Sequence, residues 1–119
     1  MTGKLVIKNR QEVLADRVIV ADTFFSRFLG LMGRTSFTNR DALWLIPCNQ
    51  VHTMFMFFYL DLLFLDKGNR VLRKVENIRP FAFSPRESRA RSVVELKGGA
   101  LSYISVYEGD QLIFVPPGS

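Results

Sequence analysis

The chain has 119 residues, of which 48% are hydrophobic and 13% aromatic, and its formal net charge is +5. That is one domain, residues 1–119, with apolar side chains enough for a core, which excludes intrinsic disorder. A sequence pI near 9.8 suits an acidic partner and an ordinary soluble protein equally, so charge alone names no ligand.

Lys4–Lys8 and Arg17–Ala21 read as short strands rich in Val, Ile and Leu, joined through the polar segment Asn9–Asp16. Asp22 or Thr23 offers an N-cap. Phe24, Phe25, Phe28, Leu29, Leu31 and Met32 then recur at helical spacing up to Gly33. Arg27 and Arg34 lie seven residues apart, on one stripe of that short helix. Leu43–Ile46 is a strand ended by Pro47. Val51–Phe58 and Leu60–Asp66 read as one or two strands about a kink at Tyr59 and Leu60. Lys67-Gly68-Asn69 is a hairpin turn, from which Arg70–Val75 pairs back.

Ile78–Ala90, with Pro80, Pro85 and several arginines, is a solvated, flexible loop in expectation. Ser92–Leu96 is a strand and Ala100–Tyr107 a short helix or helical turn. Gln111–Val115 closes the domain before the tail at 114–119. Most connections are too short for parallel crossovers, which need a dozen residues or more, so the sheet is expected to be mainly antiparallel. The expected fold is mostly β: a small antiparallel barrel or sandwich with one or two short helices, one of them covering an open end.

The N-terminal MTGKLVIKNRQEV lacks an apolar stretch and a small-residue cleavage site. The chain therefore reads as cytoplasmic, although removal of an export leader would leave the same sequence. The longest apolar run, Met54–Leu65, is too short to span a bilayer and carries Asp61, so no membrane span is expected. The single cysteine, Cys48, excludes an intramolecular disulfide.

Four motifs stand in order between Ala21 and Ile113. They are Arg27-x-x-Gly30-Leu31-Met32-Gly33-Arg34; His52-Thr53-Met54-Phe55-Met56 followed by Leu60-Asp61-Leu62-Leu63-Phe64-Leu65-Asp66; Val94-Glu95-Leu96 with Gly98-Gly99; and Glu108-Gly109-Asp110-Gln111-Leu112. This arrangement resembles the bacterial and archaeal domain of unknown function 192. The resemblance implies a compact, mostly β domain with a core over about 21–113, and no agreed activity. The family usually has a basic or polar residue and a proline where this chain has Phe57 and Tyr59. The resemblance therefore carries no polar contact from position 57.

Cys48, His52, Met54 and Met56 share parity, so on one extended strand they would face one side. Thiolate, imidazole and thioether together suit Cu(I). Methionines among phenylalanines more often fill a core, and paired zinc-type spacing is missing. No metal and no cofactor are therefore expected. Cys48 and His52 as a nucleophile pair would need an orienting third group and an oxyanion hole that the sequence does not place.

Asp61, inside an apolar run, requires a partner, and Arg27 or Arg34 is the expected one. Glu95 alternates with Val94 and Leu96 and reads as an outward, solvated side chain or a turn cap. Asp61 and Glu95 would be an acid/base pair only if they faced each other. Arg79, Arg86, Arg89 and Arg91 interleave with Phe81 and Phe83, but no RNA-binding motif accompanies them, so no sequence-specific nucleic-acid partner is expected.

The leading functional expectation is a non-enzymatic module. It would bind a small polar or anionic ligand in a cleft beside a strand His52–Met56, with Arg27, Arg34, His52, Met56 and Asp61 as site residues. No catalytic residue is assigned. The alternatives are an acid/base, hydrolase-like enzyme using Asp61, Glu95 or His52, and a structural partner of a larger assembly.

Overall fold

The computed structural model describes residues 2–23, 26–27, 30–31 and 36–118. Seven strands follow one another: β1 Thr2–Ile7, β2 Glu12–Ala21, β3 Asp41–Leu45, β4 Leu60–Leu65, β5 Val71–Ile78, β6 Ser92–Lys97 and β7 Leu112–Val115. They form one sheet in the order β5-β4-β6-β3-β2-β1-β7. The sheet curls into a half-barrel. At one end its edges meet, through the Arg70–Gln111 bridge and the bonds Val71 N–H to Asp110 O at 2.8 Å and Leu112 N–H to Asn69 O at 2.9 Å.

The mostly β expectation holds, with corrections of detail. β2 and β3 run parallel, whereas every other pair is antiparallel. The connection over 22–40 is long enough for the crossover that parallel pairing requires. Within it, Arg27 N–H bonds Thr23 O and Gly30 N–H bonds Ser26 O, each at 3.0 Å, as in a helical turn. Thr23 and Ser26 cap each other: Ser26 N–H donates to Thr23 Oγ1 at 3.0 Å and Thr23 N–H to Ser26 Oγ at 3.1 Å. The remainder of the expected helix, Arg34 included, lies outside the described residues. The expected helix at Ala100–Tyr107 is a single 3-10 turn, Ala100–Ser102.

The centre of the sheet, β3, β4 and β6, is buried on both faces, which explains why β4 is apolar apart from Asp61. One cluster draws residues from all seven strands and fills the inside of the curl, among them Leu5, Val18, Trp44, Leu63, Val71, Leu96 and Leu112. The second lies on the opposite face of β3, β6 and β4, where Leu43, Leu45, Leu60, Leu62, Phe64 and Val93 meet Leu31, Phe37, Val51 and Met56 from the connections. Leu31 itself packs against this face of the sheet.

Residues 46–59 are not a strand, contrary to the reading of Val51–Phe58. The segment enters through a cis Ile46–Pro47 bond and reverses at Phe55, whose φ is 60°. It still finds hydrogen-bond partners, on the loop that follows β5. Cys48 N–H donates to Arg91 O at 3.0 Å, Ser84 N–H to Val51 O at 2.8 Å and Thr53 N–H to Ala82 O at 2.8 Å. The arginine-bearing loop is therefore stitched to 48–53 rather than loose in solvent.

Candidate functional site

Strand register places Asp61 opposite Leu96 and Glu95 opposite Leu62 on neighbouring β4 and β6. Side chains alternate along each strand, so Asp61 and Glu95 emerge on opposite faces of the sheet. The acid/base pairing of these two carboxylates is excluded by that geometry.

Asp61 is 1% exposed, and its carboxylate accepts three main-chain hydrogen bonds. Asn77 N–H donates to Oδ1 at 2.9 Å, and Gly99 and Leu101 N–H donate to Oδ2 at 3.1 and 3.0 Å. The acid thereby ties β4 to the end of β5 and to the start of the 3-10 turn. The expected ion pair to Arg27 is not made, and Arg34 lies outside the described residues. Arg27 instead donates from Nη1 to the carbonyls of Asp22 at 3.2 Å and Ile46 at 3.1 Å. Main-chain amides satisfy a buried carboxylate as well as a guanidinium does, and at less desolvation cost.

Gly98 belongs to the same lock. A Cβ there would lie 2.7 Å from Tyr59 Cβ and 2.9 Å from Tyr59 C, because Gly98 N–H bonds Tyr59 O at 2.7 Å. Asp110, at the other conspicuous turn, accepts Tyr107 N–H at 2.8 Å and pairs with Arg10 at 3.1 Å. Burial works against its charge, but those two partners outweigh it and hold the carboxyl below the usual range. Two of the acidic motifs therefore hold loops in place.

Glu95 is different. It is also 1% exposed, yet its Oε1 has no hydrogen-bond partner. Burial pushes its pKa up to about 8, from an ordinary 4.5. It is accordingly a neutral carboxylic acid at pH 7. It lines a cleft of about 300 Å³ together with Arg27, Cys48, His52 and Met56, against apolar walls from Leu45, Pro47 and Val51. β6 supplies the acid, the helical turn supplies Arg27, and the 46–59 segment supplies the rest.

Within this cleft the Cys48 thiol donates to Gln50 O at 3.2 Å. Burial pushes it up, Glu95 adds in the same direction and Arg27 opposes. It is a protonated thiol at neutral pH, poorly suited to nucleophilic attack. His52 Nδ1 accepts Met54 N–H at 3.2 Å. Met56 is buried in the second core cluster. The shared parity of Cys48, His52, Met54 and Met56 is lost with the strand that required it. Among the described residues, no three His, Cys, Asp or Glu side chains gather as metal ligands.

Of the five residues singled out from sequence, the cleft brings together Arg27, His52 and Met56. It leaves Asp61 inside the sheet, and adds Cys48 and Glu95. Glu95 entered the sequence reading only through the acid/base alternative and otherwise as a solvated side chain or turn cap, because alternation alone cannot show that both faces of β6 are covered. A glutamate inside Ser92-Val93-Val94-Glu95-Leu96 was the available signal. A larger hollow of about 740 Å³ lies between β1, β2 and residues 115–118. Its carboxylates Asp16 and Asp41 pair with Arg40 and Arg17, with Asp16 Oδ1 left without a hydrogen-bond partner.

Fold and site together define a small half-barrel domain in which Asp61 and Asp110 lock loops and Glu95, whose Oε1 has no hydrogen-bond partner, lines a cleft. The chain belongs to the DUF192 family, described as Uncharacterized ACR, whose model matches residues 5–114. It is 31% identical over 113 residues to a UPF0127 protein of Thermococcus sibiricus, covering 91% of this chain and 72% of that protein. A crystal structure of a protein of unknown function from Novosphingobium aromaticivorans superposes with a TM-score of 0.83 at 19% identity, covering 94% of this chain and 84% of that one. Another, from Sinorhizobium meliloti and described as "a putative transcription regulator", superposes with a TM-score of 0.78 at 24% identity, covering 93% and 90%. At these identities the two structures speak for the fold. Among the described residues, no helix is long and apolar enough to cross a membrane.

Proposed function

We propose that the protein binds a small anionic ligand, of carboxylate or phosphate character, in the cleft between Arg27 and Glu95, without transforming it. The observation that carries this is Glu95: a buried acid with an unpartnered oxygen, lining a cleft that it shares with the Arg27 guanidinium. An unsatisfied polar atom in a native interior calls for a partner. A neutral carboxyl offers one O–H donor to an anionic oxygen, while Arg27 supplies the positive charge. A volume of about 300 Å³ lies at the small end of ligand pockets, matching a compact molecule.

The test is calorimetric titration with a panel of small carboxylates, inorganic phosphate and neutral sugars across pH. Anions should bind at pH 6–7 and fade as pH rises through about 8, because an ionised Glu95 repels them. Glu95→Gln keeps a donor but cannot ionise, so its binding should persist above that pH. Anion binding to wild type with no pH dependence, or only sugars binding, would refute the assignment.

An acid/base enzyme is the second reading, favoured by one observation: His52 and the raised acid Glu95 line the same cleft. Chemical change of a bound compound, followed by NMR and abolished in Glu95→Gln, would select it.

A further inference from the structure

The two loops stitched together beside the cleft present exposed aromatic rings to solvent, two of them in contact with each other. Phe55, Phe57 and Tyr59 stand on one loop and Phe81 and Phe83 on the other, each between 54% and 68% exposed. Exposed apolar rings grouped in this way mark an interaction surface rather than the scattered hydrophobics of an ordinary exterior. Phe55 and Phe81 meet edge to face with centroids 5.7 Å apart. Both have left-handed backbones, with φ of 60° and 57°. That region is unfavourable for a bulky side chain and persists only where the surroundings impose it. Here the backbone is strained at the two residues that turn phenylalanine rings outward.

What imposes it is Thr53, which is fully buried. Its carbonyl accepts Phe81 N–H at 2.9 Å and Met56 N–H at 3.3 Å, and its N–H donates to Ala82 O at 2.8 Å. Its hydroxyl donates to Arg79 O at 2.7 Å and accepts Ala82 N–H at 2.8 Å. The loop pair thus meets much of its main-chain hydrogen bonding internally and leads with hydrocarbon rings. That combination suits entry into an apolar medium, where an unpaired main-chain group is costly.

Charge narrows the partner. Arg79, Arg86, Arg89 and Arg91 are exposed on the same loop as Phe81 and Phe83. The acid among them, Glu87, is taken by Arg89 at 3.2 Å. Segment 52–59 carries no acidic residue. A flat nucleic-acid platform needs ring faces open for stacking. Phe55 and Phe81 instead close on each other edge to face, as a single apolar wedge. We infer that this face docks the protein peripherally onto an anionic lipid bilayer. The phenylalanines enter the headgroup boundary and the arginines engage lipid phosphates. The inference stands independently of the ligand assigned to the cleft.

Cosedimentation of the full chain with vesicles tests it, comparing pure phosphatidylcholine with phosphatidylcholine containing about one-third phosphatidylserine. The protein should bind the anionic vesicles, ignore the neutral ones, and dissociate as salt rises. The double variant Phe55→Gly, Phe81→Gly removes both rings while suiting the left-handed backbone, so its melting temperature should hold or rise. Its vesicle partition should fall by about tenfold or more. The inference is overturned if anionic vesicles are not bound at low salt, or if the double variant binds them as wild type does. It is also overturned if a single-stranded oligonucleotide displaces the vesicles and loses its own binding in the same variant, which would assign the face to nucleic acid.

Discussion

Replacing Glu95 by glutamine should flatten the pH dependence of stability between pH 5 and pH 8. In the folded protein the carboxyl holds its proton up to about pH 8, whereas the unfolded chain releases it near its ordinary 4.5. A raised folded pKa means that the folded state binds the extra proton in that window. Stability is then greatest below pH 4.5 and declines as pH rises, until the folded protein also ionises near pH 8. The slope is about 1.4 kcal/mol per pH unit, and the loss between pH 4.5 and about pH 8 is about 5 kcal/mol. Glutamine has no proton to lose, so the variant should gain on wild type at the same rate and overtake it by pH 8. Urea unfolding at half-unit intervals measures this, followed by the fluorescence of Trp44, the single tryptophan, which is 7% exposed. A urea m-value of about 1–3 kcal/mol/M turns the effect into a midpoint difference of about 2 M or more. Asp16, Asp41 and Asp110 are held below their ordinary 3.8. Their stabilisation is present throughout the window and is lost only at more acid pH. Midpoints of wild type and variant that run parallel from pH 5 to pH 8 would show that Glu95 is charged or solvated, and the cleft assignment would fall with it.

Asp61→Ala should cost about 3–5 kcal/mol by denaturant unfolding, because three main-chain donors lose their acceptor at once. Asp61→Asn should recover only part of that, since its amide nitrogen would confront one of the same donors. Gly98→Ala should cost about 1–3 kcal/mol, as the new methyl collides with Tyr59. Gly68→Ala, whose Cβ would sit at ordinary contact distance, 3.4 Å from Asp66 Oδ1, should stay within about 0.5 kcal/mol in the same assay.

Most strands were legible because their signals are local. Ser92–Leu96, Gln111–Val115 and the Lys67-Gly68-Asn69 hairpin combine β-branched runs with turn residues, and they appear within a residue or two of where they were expected. Val51–Phe58 was misread for the same reason. Its aromatic and apolar content fits a strand, but the chain that follows Pro47 leaves the sheet and is held by Ala82, Ser84 and Arg91 from a distant loop. Aromatic composition reports burial or display, not extension, and here Met56 is buried while Phe55 and Phe57 are displayed.

The sequence by itself determined a mostly β domain, its family, and which residues were chemically out of place: Asp61, Glu95, His52 and the arginines. It could not say which carboxylate is satisfied. Asp61 and Glu95 look alike, each a single acid in an apolar strand. Only the tertiary structure supplies three amides to the first and none to Oε1 of the second. The reason is physical. Alternation along a strand places a side chain on a face, but what lies across from that face comes from chain segments tens of residues away. Burial and partnering, which determine a carboxyl's charge, are set by those long-range contacts.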